Sequence, residues 1–290
     1  MSEIMTSIKD SEANWDNVIR PRRRWFDIDL RGIWTYRDLL KMYIHRNYVT
    51  TYKQTVLGPL WFVIQPVISI VIYMFIFGGL AGISTEGVPQ PLFYMAGILM
   101  WNYFTECFNA SNNVLAKNAE VFGKVYFPRL IIPVAGAVSS LGKLGVQFIM
   151  FLVIYLWCIS FNSDLSVNWT LLLMPVYFLM IALMGLSLGL LISSFTYKYR
   201  DLQMLITYFL QLTMYATPVV YPLEAIPENY RFLVSLNPLT SVFEAFKYGW
   251  FNVGTFDWQG LIYSGVWIVV LILASLLIFN RVEQNFMDTV

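Results

Sequence analysis

Charged side chains are scarce in this 290-residue chain, with Asp, Glu, Lys and Arg together making up 13% of it. Soluble domains carry about 25%, so a water-soluble fold of this size would lack the polar surface to cover itself. That shortage excludes a soluble enzyme, and the 58% share of apolar residues excludes a disordered chain. Histidine occurs once, at His45, which rules out any site needing two or more. His45 itself reads as solvated or facing headgroups. Only two cysteines are present, Cys107 and Cys158, both in or beside apolar runs. They read as small buried hydrophobes rather than a redox pair, and a secreted disulfide scaffold is excluded. The net charge is +1, so no basic excess points to nucleic acid. Residues 1–57 are polar and charged and lack the apolar core of a cleavable signal, so the first span is expected to serve as its own insertion signal. No Gly-x-x-x-x-Gly-Lys-Ser/Thr run occurs, so this sequence has no phosphate cradle of its own.

What the chain does have is apolar length. A membrane span takes about 20 apolar residues, so six would use ~120 and leave ample chain for tails and loops. The expected fold is therefore all-α and integral to the membrane, with six transmembrane helices over about 58–80, 91–114, 129–157, 170–195, 202–221 and 258–280. Residues 1–32 form a mixed-charge cytosolic tail whose end carries Arg20, Arg22, Arg23 and Arg24, suited to anionic headgroups. Residues 33–57 are different. On a helix, Ile33, Tyr36, Leu39, Leu40, Tyr43 and Ile44 share one face, while Asp38, Lys41, His45, Arg46 and Lys53 fall away from it. That pattern describes an amphipathic helix lying in the membrane interface. Residues 222–257 are apolar but interrupted by Pro222, Pro227 and Pro238, which fits a pair of short re-entrant helices on the external side.

Orientation follows from the basic residues. With the amino terminus in the cytosol, sixteen Lys and Arg residues fall inside: ten before the first span, then Lys117, Lys124, Arg129, Lys198, Arg200 and Arg281. Arg231 and Lys247 fall outside, and Lys143 lies within a span. Both termini, including the 281–290 tail, are thus expected in the cytosol. An even number of spans agrees.

Several segments then become recognisable. Tyr52-Lys53-Gln54-Thr55-Val56-Leu57-Gly58-Pro59-Leu60-Trp61, followed by Gln65-Pro66, resembles the start of the first span in ABC-2 permeases that export polysaccharide. Arg37-Asp38-Leu39, Lys124 to Arg129 with Pro133, and Tyr199-Arg200-Asp201 fit the same pattern, as do Thr217 to Pro222 and Leu236 to Thr240. The resemblance runs from about 35 to 280 in family order, making 58–280 the transmembrane domain. It implies the permease subunit of a transporter for lipid-linked glycans such as O-antigen, capsular polysaccharide or teichoic acid, in the cell inner membrane. Two copies of this chain would form the channel, driven by two copies of a separate cytosolic ABC ATPase. ATP and Mg would be bound by that partner, with no cofactor on this chain.

The resemblance also implies roles for particular segments. Residues 115–128 correspond to the coupling helix that docks on the ATPase, through Glu120, Val121, Phe122, Lys124 and Tyr126, with Val125 and Phe127 as further apolar anchors. The external gate corresponds to Pro218, Tyr221, Pro222 and Pro238. For the conduit, the residues themselves offer stripes. Asn102, Glu106, Asn109 and Asn113 share a face of the second span, and Ser140, Lys143 and Gln147 share one of the third. Tyr208, Gln211 and Tyr215 align in the fifth, and Trp61, Gln65, Ser69 and Tyr73 in the first. Aromatic faces stack on pyranose rings, and amides exchange hydrogen bonds with sugar hydroxyls. Polar residues at membrane depth face the bundle interior or water, but they also hold helices together without any pore, so both roles stay open. Helix rise places Glu106 and Lys143 at depths about 6 Å apart on consecutive spans, so they either pair or are solvated separately in a wet channel.

Two other functions compete. One is a drug or small-lipid exporter of the same superfamily, against which the interface helix and the Gly58-Pro59-Leu60-Trp61 turn favour the polysaccharide branch. The other is a membrane-embedded glycosyl- or acyltransferase, which needs a catalytic histidine or paired acids. With His45 alone and no aspartate pair, this chain offers neither.

Overall fold

The computed structural model describes residues 30–52, 57–125, 127–161, 165–196 and 201–286, and all their regular structure is helical. Helix α1 (Leu30–Thr35) and α2 (Arg37–Tyr52) occupy most of the expected interface segment. A 3-10 turn at Gly58–Leu60, with Pro59 in its first positions, leads into α3 (Trp61–Tyr73). α3 then widens into a π-helical stretch over Met74–Leu80, where the Ala81 N–H reaches back five residues to the Ile76 carbonyl. α4 (Gln90–Ser111) starts at two prolines, Pro89 and Pro91, which lack the N–H that a first helical turn cannot use. Two short helices follow, α5 (Val114–Lys117) and α6 (Ala119–Phe122), then the long α7 (Ile131–Ser160). α8 (Met174–Thr196) is preceded by a 3-10 turn at Trp169–Leu173. α9 (Leu202–Tyr215), α10 (Glu228–Ser235), α11 (Pro238–Phe251) and α12 (Trp258–Phe286) complete the chain.

Among the described residues, four helical stretches are long and apolar enough to cross a membrane: Gly58–Leu80, Ile131–Ser160, Trp169–Thr196 and Trp258–Val282. They cover the expected first, third, fourth and sixth spans. The other two expected spans differ for separate reasons. α4 has 22 residues, about 33 Å of helix, but its glutamine, asparagines, tyrosines and Glu106 lower its apolar character. α9 has only 14 residues, about 21 Å, against a hydrocarbon core of ~30 Å. It stops at Tyr215, three residues before Pro218, where the expected span continued to 221.

The composition of α4 is explained by its position. Leu92, Tyr94, Met95, Leu99, Met100, Phe104, Cys107 and Phe108 are all fully buried, and α4 packs chiefly against α7 and α8. A helix wrapped by neighbours does not need lipid-facing apolar residues all round. Close approach to α8 depends on two glycines there. A Cβ at Gly185 would sit 2.7 Å from the Phe104 carbonyl oxygen, and one at Gly189 would collide with Ser111 Oγ. Small residues at such crossings let van der Waals packing replace the hydrophobic drive that lipid cannot supply. Ser111 Oγ uses the proximity by donating to the Leu186 carbonyl at 3.1 Å.

A smaller cluster lies at the other end of the bundle. Tyr43 of α2, Val114 and Leu115 of α5, Phe122 of α6, and Phe127, Ile131, Leu190 and Phe279 pack together, with Tyr36, Leu39, Leu40 and Ile44 against them. The described apolar face of the interface helix is therefore covered by the bundle. Its opposite face is wet: His45 is exposed, and Lys41 donates to Asp38 at 3.0 Å, holding that carboxyl below its usual range. Cys107 and Cys158 are free and buried, as their apolar settings imply.

Candidate functional site

Three places in the fold gather the polar residues of interest. The first is a cavity of about 470 Å³ among α2, α3, α4 and α7. Trp61, Phe62 and Gln65 line it from α3, Glu106 and Asn109 from α4, and Ser139, Ser140 and Lys143 from α7, with Asn47 and Tyr48 from α2. At its centre Lys143 Nζ donates to Glu106 Oε1 at 2.6 Å and stands 5.5 Å from the centre of the Phe62 ring. The two span charges are thus a direct pair with half-open access to the cavity. Pairing removes the penalty that either charge would carry alone at membrane depth. Gly136 is needed on the facing helix, because a Cβ there would meet Ala110 Cβ at 2.5 Å.

In the same place an adjoining cleft, also about 470 Å³, runs between the end of α4 and the start of α9. Thr105, Asn109, Asn112, Asn113 and Lys117 face Gln203 and Thr207 across it. Asn109 borders both spaces, and Asn112 donates to its side-chain oxygen at 3.1 Å. Asn113 Oδ1 is buried here with no hydrogen-bond partner among the described residues. Amides and hydroxyls with little competing charge are the donor and acceptor set that suits a polyhydroxylated ligand.

The remaining stripe residues are distributed unevenly. Gln147 is only 1% exposed and accepts from Asn102 at 3.4 Å, so this pair joins α4 to α7 inside the bundle. Tyr73 lies half-buried, with its hydroxyl 3.8 Å from Met214 Sδ of α9. Tyr208, Gln211 and Tyr215 project outward from α9, where Ile206 is the one buried residue. The sequence pattern alone does not separate inward from outward polar groups, because both kinds repeat with the same helical period.

The second place is the segment around 115–128. Glu120, Val121, Lys124 and Val125 are exposed, and Tyr126 lies outside the described residues. Phe122, expected as an outward anchor, is instead 3% exposed, with its ring 5.6 Å from that of Phe127 and the Arg129 guanidinium 5.2 Å above it. It is turned inward because the interface helix offers an apolar face, through Tyr43 and its neighbours, that would otherwise meet water. Phe122 and Phe127 therefore hold the segment in place, while the outward face is left to Glu120, Val121, Lys124 and Val125.

The third place joins the loop after α9 to α11. Pro218 and Pro222 are buried, Tyr221 is half-buried, and Pro238 opens α11 with Asn237 Oδ1 accepting from the Leu239 N–H. Asn237 Nδ2 also donates to Thr217 Oγ1 at 2.8 Å, tying the start of α11 to the loop. Below lies a lysine that the sequence reading placed merely outside. Lys247 is 4% exposed and donates to the Pro218 carbonyl at 2.6 Å and to the Tyr221 carbonyl and Glu244 Oε1 at 3.4 Å each. Its ammonium also stands 4.3 Å from the centre of the Phe93 ring on α4. Helical spacing reveals only the pairing with Glu244, three residues earlier; the other two acceptors are backbone carbonyls 26 and 29 residues away, which no spacing rule finds.

A helical bundle with stretches long and apolar enough to cross a membrane, around a buried central helix, describes an integral membrane protein. Residues 38–251 match the ABC-2 type transporter family, and the chain belongs to it. Among its relatives is the O-antigen export system permease protein RfbA of Klebsiella pneumoniae, 25% identical over 87% of this chain and 94% of that protein. The inner membrane transport permease YadH of Escherichia coli K12 is 26% identical over 89% of this chain and 96% of its own. The polysialic acid transport protein KpsM of Escherichia coli is 21% identical over 84% and 93%.

Proposed function

We propose that this chain is the permease subunit of an ATP-driven ABC transporter that exports lipid-linked polysaccharide of the O-antigen kind across the cytoplasmic membrane. The observation that carries this reading is the nearly end-to-end match to permeases named for O-antigen and polysialic acid export. In the proposed topology both termini are cytosolic and six spans cross the membrane, α4 and α9 completing the set within the assembly. Two copies form the conduit. The polar side chains of Tyr208, Gln211 and Tyr215, uncovered on α9 in the single chain and unsuited to lipid, support pairing with a second copy. Nucleotide chemistry belongs to a separate ATPase, which docks on the exposed Glu120, Val121, Lys124 and Val125.

The amide-lined cleft and the cavity beside Glu106 and Lys143 fit weak, repeated contacts to sugar hydroxyls. Such contacts hold a polymer in register without stopping it, whereas one tight site would arrest it. The test is to purify the chain with its candidate ATPase and measure hydrolysis as lipid-linked glycan is added. Stimulation by glycan, with none from phospholipid or amphipathic drugs, is the expected result. A second reading, a small-lipid or drug exporter of the same superfamily, is compatible with the match to YadH, whose name specifies no substrate. The opposite pattern of stimulation would select it.

A further inference from the structure

The gate loop, residues 216–222 after α9, carries irregular backbone through the interior of the bundle. Thr217, Val219 and Val220 are at most 1% exposed, and Pro218 and Pro222 are buried. The loop lies so close to α4 that a Cβ at Gly97 would collide with the Val219 carbonyl oxygen. Away from water, each carbonyl of such a segment needs a donor from the protein. In a continuing α-helix that donor is the N–H four residues further on. The carbonyls of Met214 and Pro218 cannot be met this way. Four residues beyond them stand Pro218 and Pro222, and proline has no N–H.

The end of α9 replaces the lost bonds one carbonyl at a time. Thr213 accepts from Thr217 Oγ1 at 2.8 Å, and Met214 from the Thr217 N–H at 3.3 Å. Tyr215 accepts from the Tyr221 hydroxyl at 2.8 Å, Ala216 from Asn237 Nδ2 at 3.3 Å, and Thr217 from the Val219 N–H at 2.7 Å. Pro218 comes next. Its donor is Lys247 Nζ at 2.6 Å, which crosses from α11 and also reaches the Tyr221 carbonyl at 3.4 Å. Glu244 Oε1 at 3.4 Å and the Phe93 ring, its centre 4.3 Å away, complete the surroundings of the ammonium. The shortest bond thus goes to the backbone, whereas a lysine present to neutralise Glu244 would place its shortest bond there.

We propose that Lys247 is a positioning residue that stands in for the N–H missing at Pro222: its ammonium caps the broken end of α9 from another helix, keeps α9 short, and binds the gate loop to α11. An ammonium suits this task because its three donors can serve two carbonyls and a carboxylate at once. Glu244 balances the charge that the task brings into the interior. The chain can then leave its helix inside the bundle, after 14 residues or about 21 Å, without stranding an acceptor. This role goes beyond the transport reading and holds whatever the conduit carries.

The test is hydrogen–deuterium exchange of the full chain in nanodiscs, read over peptides covering 216–226. The first variant is Lys247→Met with Glu244→Leu, in which no charge is stranded and the loop carbonyls alone lose their donor. Exchange over 216–226 is expected to quicken by roughly tenfold or more, the scale of losing a hydrogen bond to a charged group, with α7 and α8 unchanged. Lys247→Gln with Glu244→Leu keeps a donor without the charge and should stay near the unsubstituted rate. Adding Pro222→Ala to the Met variant restores an N–H at 222 and should slow exchange again. Unchanged exchange in the Met variant overturns the proposal, since the lysine then serves Glu244 alone. So does quickened exchange that neither the Gln variant nor Pro222→Ala slows. If the Met variant does not fold, the Gln variant decides: a folded Gln chain supports the donor role, and failure of both rejects it.

Discussion

Lys143 and Glu106 show how two charges become tolerable inside an apolar bundle. The ammonium has the carboxylate at 2.6 Å and an aromatic face nearby, and both reach a polar cavity. If the pair is a working part of the conduit, Glu106→Lys and Lys143→Glu should each impair export, and the double exchange should restore much of it. Transport of labelled glycan into inverted vesicles checks this; a double exchange as poor as the singles combined removes the pair from the mechanism. Lys247 and Glu244 make a different case, because both are almost fully buried. Removing one member of such a pair leaves the other charge stranded, at a cost of roughly 3–5 kcal/mol, whereas replacing both with apolar residues is often neutral. Lys247→Met should therefore lower the thermal midpoint of the purified protein markedly. Adding Glu244→Leu should recover most of the loss, leaving only the unsatisfied Pro218 and Tyr221 carbonyls.

Among the elements, α6 and its flanks divide labour between two faces. Phe122 and Phe127 pack inward on the interface helix, and Glu120, Val121, Lys124 and Val125 point outward. Truncating an inward ring and truncating an outward side chain should thus fail differently. Phe122→Ala opens a cavity in the small cluster and is expected to cost about 3–5 kcal/mol of local stability, read as faster hydrogen exchange over 114–125. Val121→Asp with Val125→Asp leaves that cluster intact, should keep exchange unchanged, and should weaken pull-down of the ATPase. Equal loss of pull-down without any change in exchange for Phe122→Ala would return that ring to the docking face. α9 poses the complementary problem of an element with too few partners. Its length of about 21 Å and its uncovered Tyr208, Gln211 and Tyr215 are unsuited to lipid on all sides, and in the proposed assembly a second copy provides the missing surface.

At the scale of the whole molecule, the proposed pairing of two copies puts α9 near a molecular boundary. Leu212→Cys, on the uncovered side, should cross-link two copies of the chain in membranes, while a cysteine at Phe104, deep in α4, should not. A purely monomeric Leu212→Cys product under oxidising conditions would contradict the paired channel. The bundle as drawn also predicts where motion is possible. α4, α7 and α8 share a continuous core that also takes in Val88 of the hairpin between α3 and α4 and Val219 and Val220 of the gate loop, whereas α10 buries no residue and is fastened to the turn before it by the hydrogen bonds of Arg231. Elements held that way separate at lower cost than a packed core.

The sequence by itself determined that the chain is helical and lives in a membrane. Apolar length is a local property, and outside water a backbone can satisfy its hydrogen bonds within a single helix. The long helices at Ile131–Ser160 and Trp169–Thr196 lie within a few residues of where composition alone puts them. Helix rise likewise brought Glu106 and Lys143 to similar depths. Tertiary structure alone decided which faces are covered. Phe122 turned inward because the face of the interface helix lay waiting across space, and Gln147 turned toward Asn102 because α7 crosses α4 there. Lys247 found carbonyls more than 25 residues away. Periodicity along a chain records which residues share a face. It holds no information about what stands opposite, and burial and pairing depend on that.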